Sequence, residues 1–166
     1  ALGEPDFEKQ SGWRAAIEDT GQDLANTYRD HLLCALRDAL ERWVLMDARA
    51  VGPLIKSYLQ EDRGILRRLG FHLLQRFPRR YKALVVEELQ RFENLHDTSI
   101  HHEFFMLLRN GFPLLDVPAR NTLITAICEG PPLEKVTGLA KWAEENRGVD
   151  AEEYSRGYVK RWIRDR

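Results

Sequence analysis

The stretch from Asp62 to Pro113 contains one element twice, and this duplication constrains the fold more than any other feature of the chain. Residues 62–78 lie over residues 97–113 without a gap, at an offset of 35 residues. Asp62/Asp97, Ile65/Ile100, Leu73/Leu108, Phe77/Phe112 and Pro78/Pro113 are identical, and Leu69/Phe104 keeps a large apolar side chain. An offset of this size belongs to helical repeat arrays, in which one helical pair cannot bury its apolar face alone and stacks on its neighbours.

Apolar residues recur at helical spacing on both sides of the duplication. In residues 22–46, Leu24, Tyr28, Leu32, Ala35, Leu36, Ala39, Leu40, Trp43 and Val44 are assigned to the core side, and Arg37, Asp38, Glu41 and Arg42 to the solvent. A short helix is expected within residues 1–20, with Phe7, Trp13 and Ile17 on its apolar side. Pro53 is expected in the first turn of the helix over 48–60, where proline is tolerated. Ile65, Leu69, Leu73 and Phe77 form one stripe of the first copy, and Phe71 and Leu74 lie opposite, as in an inner helix buried on two faces. Asp97, Asp116 and Asp150 supply N-cap chemistry, and Pro78, Pro113 and Gly130-Pro131-Pro132 stop helices.

The expected fold is therefore all-α, with about eight or nine helices in a single domain over residues 1–166, wound as an α-α superhelix. A closed helical bundle is the alternative. The clearest repeat units are 48–77, 80–112 and 116–146. The chain begins Ala1-Leu-Gly without a Met and stops at Trp162–Arg166 inside a helical pattern, which suggests a piece of a longer polypeptide.

Hydrophobic residues at 43% and charged residues at 31% describe a folded chain rather than a disordered one, and a net charge of −1 excludes a general polyanion binder. Any electrostatic role must come from clustering. Cys34 and Cys128 sit far apart in apolar helical patterns and are expected to be small buried hydrophobes in a reducing, cytoplasmic setting. No apolar run reaches the length of a membrane span, so no membrane partner is expected.

The strongest binding lead is basic. Residues 63–86 hold seven cations and no Asp or Glu. On a concave surface, Arg63, Arg67, Arg68, Arg79 and Arg80 would neutralise phosphates in a sequence-independent, salt-dependent way. The plainer reading is that Glu61, Asp62, Glu87 and Glu88 pair with them. His96, His101, His102 and Glu103 do not make a metal site, because consecutive histidines diverge by about 100° on a helix and no His-Glu-x-x-His order occurs. His31 and Cys34 stand three residues apart with nothing to orient the histidine, which argues against nucleophilic catalysis. No Gly-x-x-x-x-Gly-Lys-Ser/Thr loop is present to cradle a nucleotide, and no cofactor is expected.

The helical alternation and the Asp-x-x-Ile…Phe-Pro element resemble HEAT-type repeats. Arg63-Gly-Ile-Leu-Arg-Arg-Leu, His101-His-Glu-Phe-Phe-Met-Leu-Leu and Ile127-Cys-Glu-Gly-Pro131 also resemble the helical arrays of bacterial STAND/NACHT-type multidomain NTPases, found among antiphage systems. The resemblance implies a non-catalytic sensor or scaffold segment whose partner is a protein or a neighbouring domain, with any NTPase activity outside this segment. Binding to a nucleic-acid backbone is the alternative. A HEAT-like DNA glycosylase is a weaker third, resting on Trp142 and Glu144.

Overall fold

A computed structural model describes residues 16–18, 28–61 and 64–164. Among these residues every regular element is helical, so the fold is all-α. The helices are α1 (Tyr28–Met46), α2 (Ala48–Leu59), α3 (Gly64–Arg76), α4 (Lys82–Gln90), the one-turn α5 (Glu93–His96), α6 (His101–Gly111), α7 (Val117–Glu129), α8 (Leu133–Arg147) and α9 (Ala151–Arg164). Short 3-10 turns at Thr98–Ile100 and Phe112–Leu114 flank α6.

The boundaries follow from local chemistry. Asp47 alone separates α1 from α2, and its carboxylate accepts the amides of Arg49 at 3.0 Å and Ala50 at 3.1 Å. Asp97, Asp116 and Asp150 cap in the same way, through Ser99, Ala119 and Glu153. Gly130 (φ 84°) and Gly148 (φ 63°) end α7 and α8 in a backbone region that side chains disfavour. Pro53 departs from expectation. It lies in the second turn of α2, on the exposed face.

The chain divides into two compact units, Ala1–Leu115 and Asp116–Arg166, where the sequence suggested one domain. In the first unit α3 is the central helix. It packs on α2 and on α6, and it is buried along both faces, with Leu69, Phe71, Leu73 and Leu74 at zero exposure. Phe71 meets Phe104 edge-on at 5.8 Å. Within 48–77 α2 packs on α3, and within 80–112 α4 packs on α6.

The contact of α3 with α6 has a definite register. Arg68 bonds Glu103, and Gln75 bonds Asn110, each pair separated by 35 residues. Equivalent positions of the duplicated element therefore face one another, and the two helices run parallel, side by side. At the other edge Tyr81, at the start of α4, donates its hydroxyl to the Ala48 carbonyl at the start of α2, 3.0 Å away. Burial pushes the Tyr81 phenol above its ordinary range, so it stays a neutral donor.

Residues 16–18 are not helical, although Ile17 is fully buried, and the rest of the stretch in which a short helix is expected lies outside the described residues. Phe7, Trp13, Leu24 and the start of the helix expected from residue 22 lie outside the described residues. In the second unit α8 packs on α9, and its buried side chains are Val136, Ala140 and Ala143, with Leu123 from α7 and Trp162 from α9. The pairing of 116–129 with 133–146 is not the main contact there. Ile124 and Trp142 are about half exposed.

Candidate functional site

Of the five candidate arginines, the four that the structure describes, Arg67, Arg68, Arg79 and Arg80, have separate surroundings. Arg68 is 3% exposed. Its Nε donates to Glu103 Oε2 at 2.9 Å and its Nη2 to Glu103 Oε1 at 2.8 Å, a bidentate pair in the interior. Arg67 donates to Asp97 and, at 2.8 Å, to Asn94 Oδ1, with its guanidinium 5.9 Å from the centre of the Phe71 ring. Arg80 sends Nη1 to the Val44 carbonyl at 2.7 Å, close to the C-terminal end of α1, where a cation complements the helix dipole. Arg79 is exposed, and Arg63 lies outside the described residues. A phosphate groove that includes Arg68 is thus corrected by the structure: burial and Glu103 take that cation out of play.

Glu103 is the hub of this region. Besides Arg68 it accepts the Ile17 amide at 3.0 Å, while the Ile17 carbonyl accepts from Arg37 Nη1 at 3.1 Å. Arg37, placed on the solvent side of α1 by the sequence pattern, is 6% exposed for this reason. Glu18 adds a bond to His102 Nε2 at 2.9 Å. The segment 16–18 is held to α1 and α6 through its backbone. One sequence signal could have found the Arg68–Glu103 pair: the two residues occupy the same position in the two copies and carry opposite charge.

A second polar cluster links α3, α4 and α5. Asn94 donates from Nδ2 to Glu88 Oε2 at 3.0 Å and accepts from Arg67. Burial raises the Glu88 carboxyl above its usual range, against the opposing Asn94 hydrogen bond and the Arg91 charge. At Asp97, desolvation also pushes upward, but the Ser99 hydroxyl and amide and the Arg67 guanidinium outweigh it, and the carboxyl is held below the ordinary range.

The remaining leads disperse. Among the described residues no group of three or more His, Cys, Asp or Glu is placed to hold a metal ion. Glu103 is spent on Arg68 and Ile17, and His102 on Glu18. Cys34 is half-buried, and Cys128 is exposed rather than buried. Trp142 and Glu144 are both exposed on α8 and two residues apart, so they do not face one another, and the Trp142 ring lies under Arg147 at 4.9 Å.

The surface feature that the sequence assigned to the interior is on α1. Its buried stripe is Leu33, Arg37, Leu40 and Val44. The larger apolar side chains Tyr28, Leu32, Leu36, Trp43 and Met46 stand at 38 to 79% exposure. They recur at helical spacing with the exposed Ala39 and form a second stripe, turned roughly a third of a circle from the first. Scattered exposed apolar residues are ordinary, but a continuous stripe on one helix marks an interaction surface.

No family model matches this chain, and neither a curated protein nor a solved structure matches it.

Proposed function

We propose that this chain is a non-catalytic binding and scaffold module that docks a protein, or a neighbouring domain of a longer parent, through the exposed apolar face of α1. The observation that carries the reading is that stripe: Tyr28, Leu32, Leu36, Trp43 and Met46 cover one side of a helix whose other stripe is already packed. A HEAT-like repeat array, wound as an α-α superhelix, is the architecture we infer. It is supported by the in-register pairing of Arg68 with Glu103 and Gln75 with Asn110 at the repeat offset. In such an array the face of an outer helix accepts the next element. A STAND/NACHT-type parent in a cytoplasmic antiphage setting is the context in which a sensor or scaffold segment of this kind is at home, and the thiols Cys34 and Cys128, not joined in a disulfide, suit a reducing compartment.

Binding to a nucleic-acid backbone is the lesser reading, because Arg68 is internal and Arg67 and Arg80 are held by protein acceptors. The two are separated by a photo-crosslinking residue placed at Leu36, with Lys141 on the exposed side of α8 as control. A discrete crosslinked protein at Leu36 that is absent at Lys141, and lost with Trp43→Asp, supports the docking face. The same pattern at both positions would overturn it. Affinity for duplex or single-stranded DNA that falls steeply with salt and is lost with Arg79→Glu would put the lesser reading first.

A further inference from the structure

Where the C-terminal ends of α3 and α6 lie side by side, they leave a cleft of about 390 Å³ lined by Gln75, Arg76, Pro78, Arg109 and Asn110. Its floor is hydrogen-bonded. Asn110 Nδ2 donates to Gln75 Oε1 at 2.8 Å and to the Gln75 carbonyl at 3.2 Å, and the Gln75 amide meets His72 Nδ1 at 3.4 Å. Gln75 is 6% exposed, so the exposed Asn110 is tied to a buried partner.

Its walls are two guanidinium groups with little else to do. Arg76 is 63% exposed and among the described residues its carboxylate partner is Glu41, whose Oε2 is 3.8 Å away, while the other oxygen of that carboxylate is taken by His72 at 2.8 Å. Among the described residues Arg109 pairs with no carboxylate and stands exposed at the end of α6. Helix C-terminal ends ordinarily repel anions. Here three of the last carbonyls are answered from within: Leu73 by the Phe77 amide, Gln75 by Asn110, and Leu108 by the Phe112 amide. Against them the cleft sets two full positive charges.

From this geometry we infer that the cleft between Arg76 and Arg109 is a binding site for a phosphate-type oxyanion, a phosphomonoester group held between the two guanidinium forks. Guanidinium groups match the oxygen spacing of phosphate and bind it in pairs of hydrogen bonds. The only apolar wall is Pro78, so no surface is offered for stacking a base. The phosphate itself is the recognised group. The site is independent of the α1 face, and neither stands or falls with the other.

The test is a titration of the full chain followed through the side-chain NMR signals of Arg76, Arg109 and Asn110. Inorganic phosphate is the first probe, with phosphoserine and adenosine monophosphate as separate arms and succinate as the carboxylate comparison. Phosphate should produce saturable shifts at these three residues. Arg109→Gln should weaken binding by about tenfold, as expected for losing one charge-assisted partner, while Arg79→Gln, outside the lining, should leave it within about twofold. Tighter binding of phosphoserine or of adenosine monophosphate than of inorganic phosphate identifies the source of the group. Shifts that never saturate, shifts spread equally over the surface arginines, succinate binding as tight as phosphate, or no loss in the Arg76→Gln/Arg109→Gln double variant would each overturn the assignment. Both arginines are exposed, so the variants are expected to fold, and a thermal melt verifies it.

Discussion

In the first unit four of the side-chain bonds that join elements span 27 to 36 residues of sequence: Arg67 to Asn94, Arg68 to Glu103, Gln75 to Asn110, Arg80 to Val44. In the second, Thr137, Asn146 and Ser155 return to carbonyls four residues back, and Lys141–Glu145 and Arg156–Glu152 are ion pairs within a single helix. The difference has a structural consequence. Sliding α6 along α3 by one turn would break Arg68–Glu103 and Gln75–Asn110 together, so the first unit has one register that satisfies its polar interior. The buried set of the second unit is small and apolar, centred on Ala140 and Ala143, and its local bonds would survive a shift of α8 against α9. The first unit is specified by its pairs.

The hardest blow to this contrast falls on Glu103. Glu103→Ala leaves the Arg68 guanidinium and the Ile17 amide in the interior without their carboxylate. Breaking one side of a buried pair in this way costs about 3–5 kcal/mol. The double variant Arg68→Met/Glu103→Leu removes both charges and should recover most of that loss. Urea unfolding gives the totals, and hydrogen exchange resolved along the chain locates them. Loss of protection should spread through α1, α3 and α6 and leave α8 and α9 as they were. Equal costs for the single and the double variant would mean that the pair does not act as a unit.

How much of this was legible in the sequence follows from what periodicity can carry. Helix type, the capping aspartates, the stops at proline and glycine and the two-faced burial of α3 are local or periodic, and all were readable. Which side of α1 faces inward was not, because the helix carries two apolar stripes and the richer one is outside. The inward stripe includes Arg37, whose burial depends on the Ile17 carbonyl 20 residues earlier, a contact that no spacing rule contains. The fate of Arg67, Arg68 and Arg80 was hidden for the same reason, since a run of cations reads alike whether solvated or paired across a stack. The cleft at Arg76 and Arg109 needed both the stacking of α3 on α6 and its register.

A milder probe compares glycines. A Cβ added at Gly111 would stand 2.6 Å from Val85 Cγ1 and 3.1 Å from Leu89 Cδ1, so α4 and α6 approach closely because there is no side chain at that position. Gly111→Ala should destabilise the first unit by about 1–3 kcal/mol, the usual cost of overfilling a packed contact. Gly138 in α8 and Gly157 in α9 meet nothing within 4 Å. Alanine there should instead stabilise the second unit by about 0.5–1 kcal/mol each, through helix propensity alone. Opposite signs from one chemical change, read as shifts in the urea midpoint, would sharpen the distinction between the units. A stabilising Gly111→Ala would remove the claim that α4 and α6 are in tight contact.

The smallest expected effect is in the acid range, and its sign differs between two carboxyls of the first unit. The folded Asp97 carboxyl lies below its unfolded value, so its contribution is complete above about pH 3.9, the ordinary aspartate value, and is lost as pH falls through the folded value. Glu88 is the reverse: its folded value lies above the unfolded one because it is buried, so lowering the pH from neutral toward about 4.3 protonates it preferentially in the folded state and adds stability. The first unit should therefore be most stable in mildly acidic solution, with Glu88 shaping the rise and Asp97 the fall. Glu88→Gln should flatten the neutral side of the curve and Asp97→Asn the acid side, each by less than the Gly111 effect. Region-resolved exchange between pH 7 and 3 checks this, because protection in α8 and α9 should not respond to either substitution. If Glu88→Gln leaves the neutral slope of the first unit unchanged, the Arg67–Asn94–Glu88 cluster does not bear on its stability. The contrast between the units would then rest on Arg68–Glu103 and the close contact at Gly111.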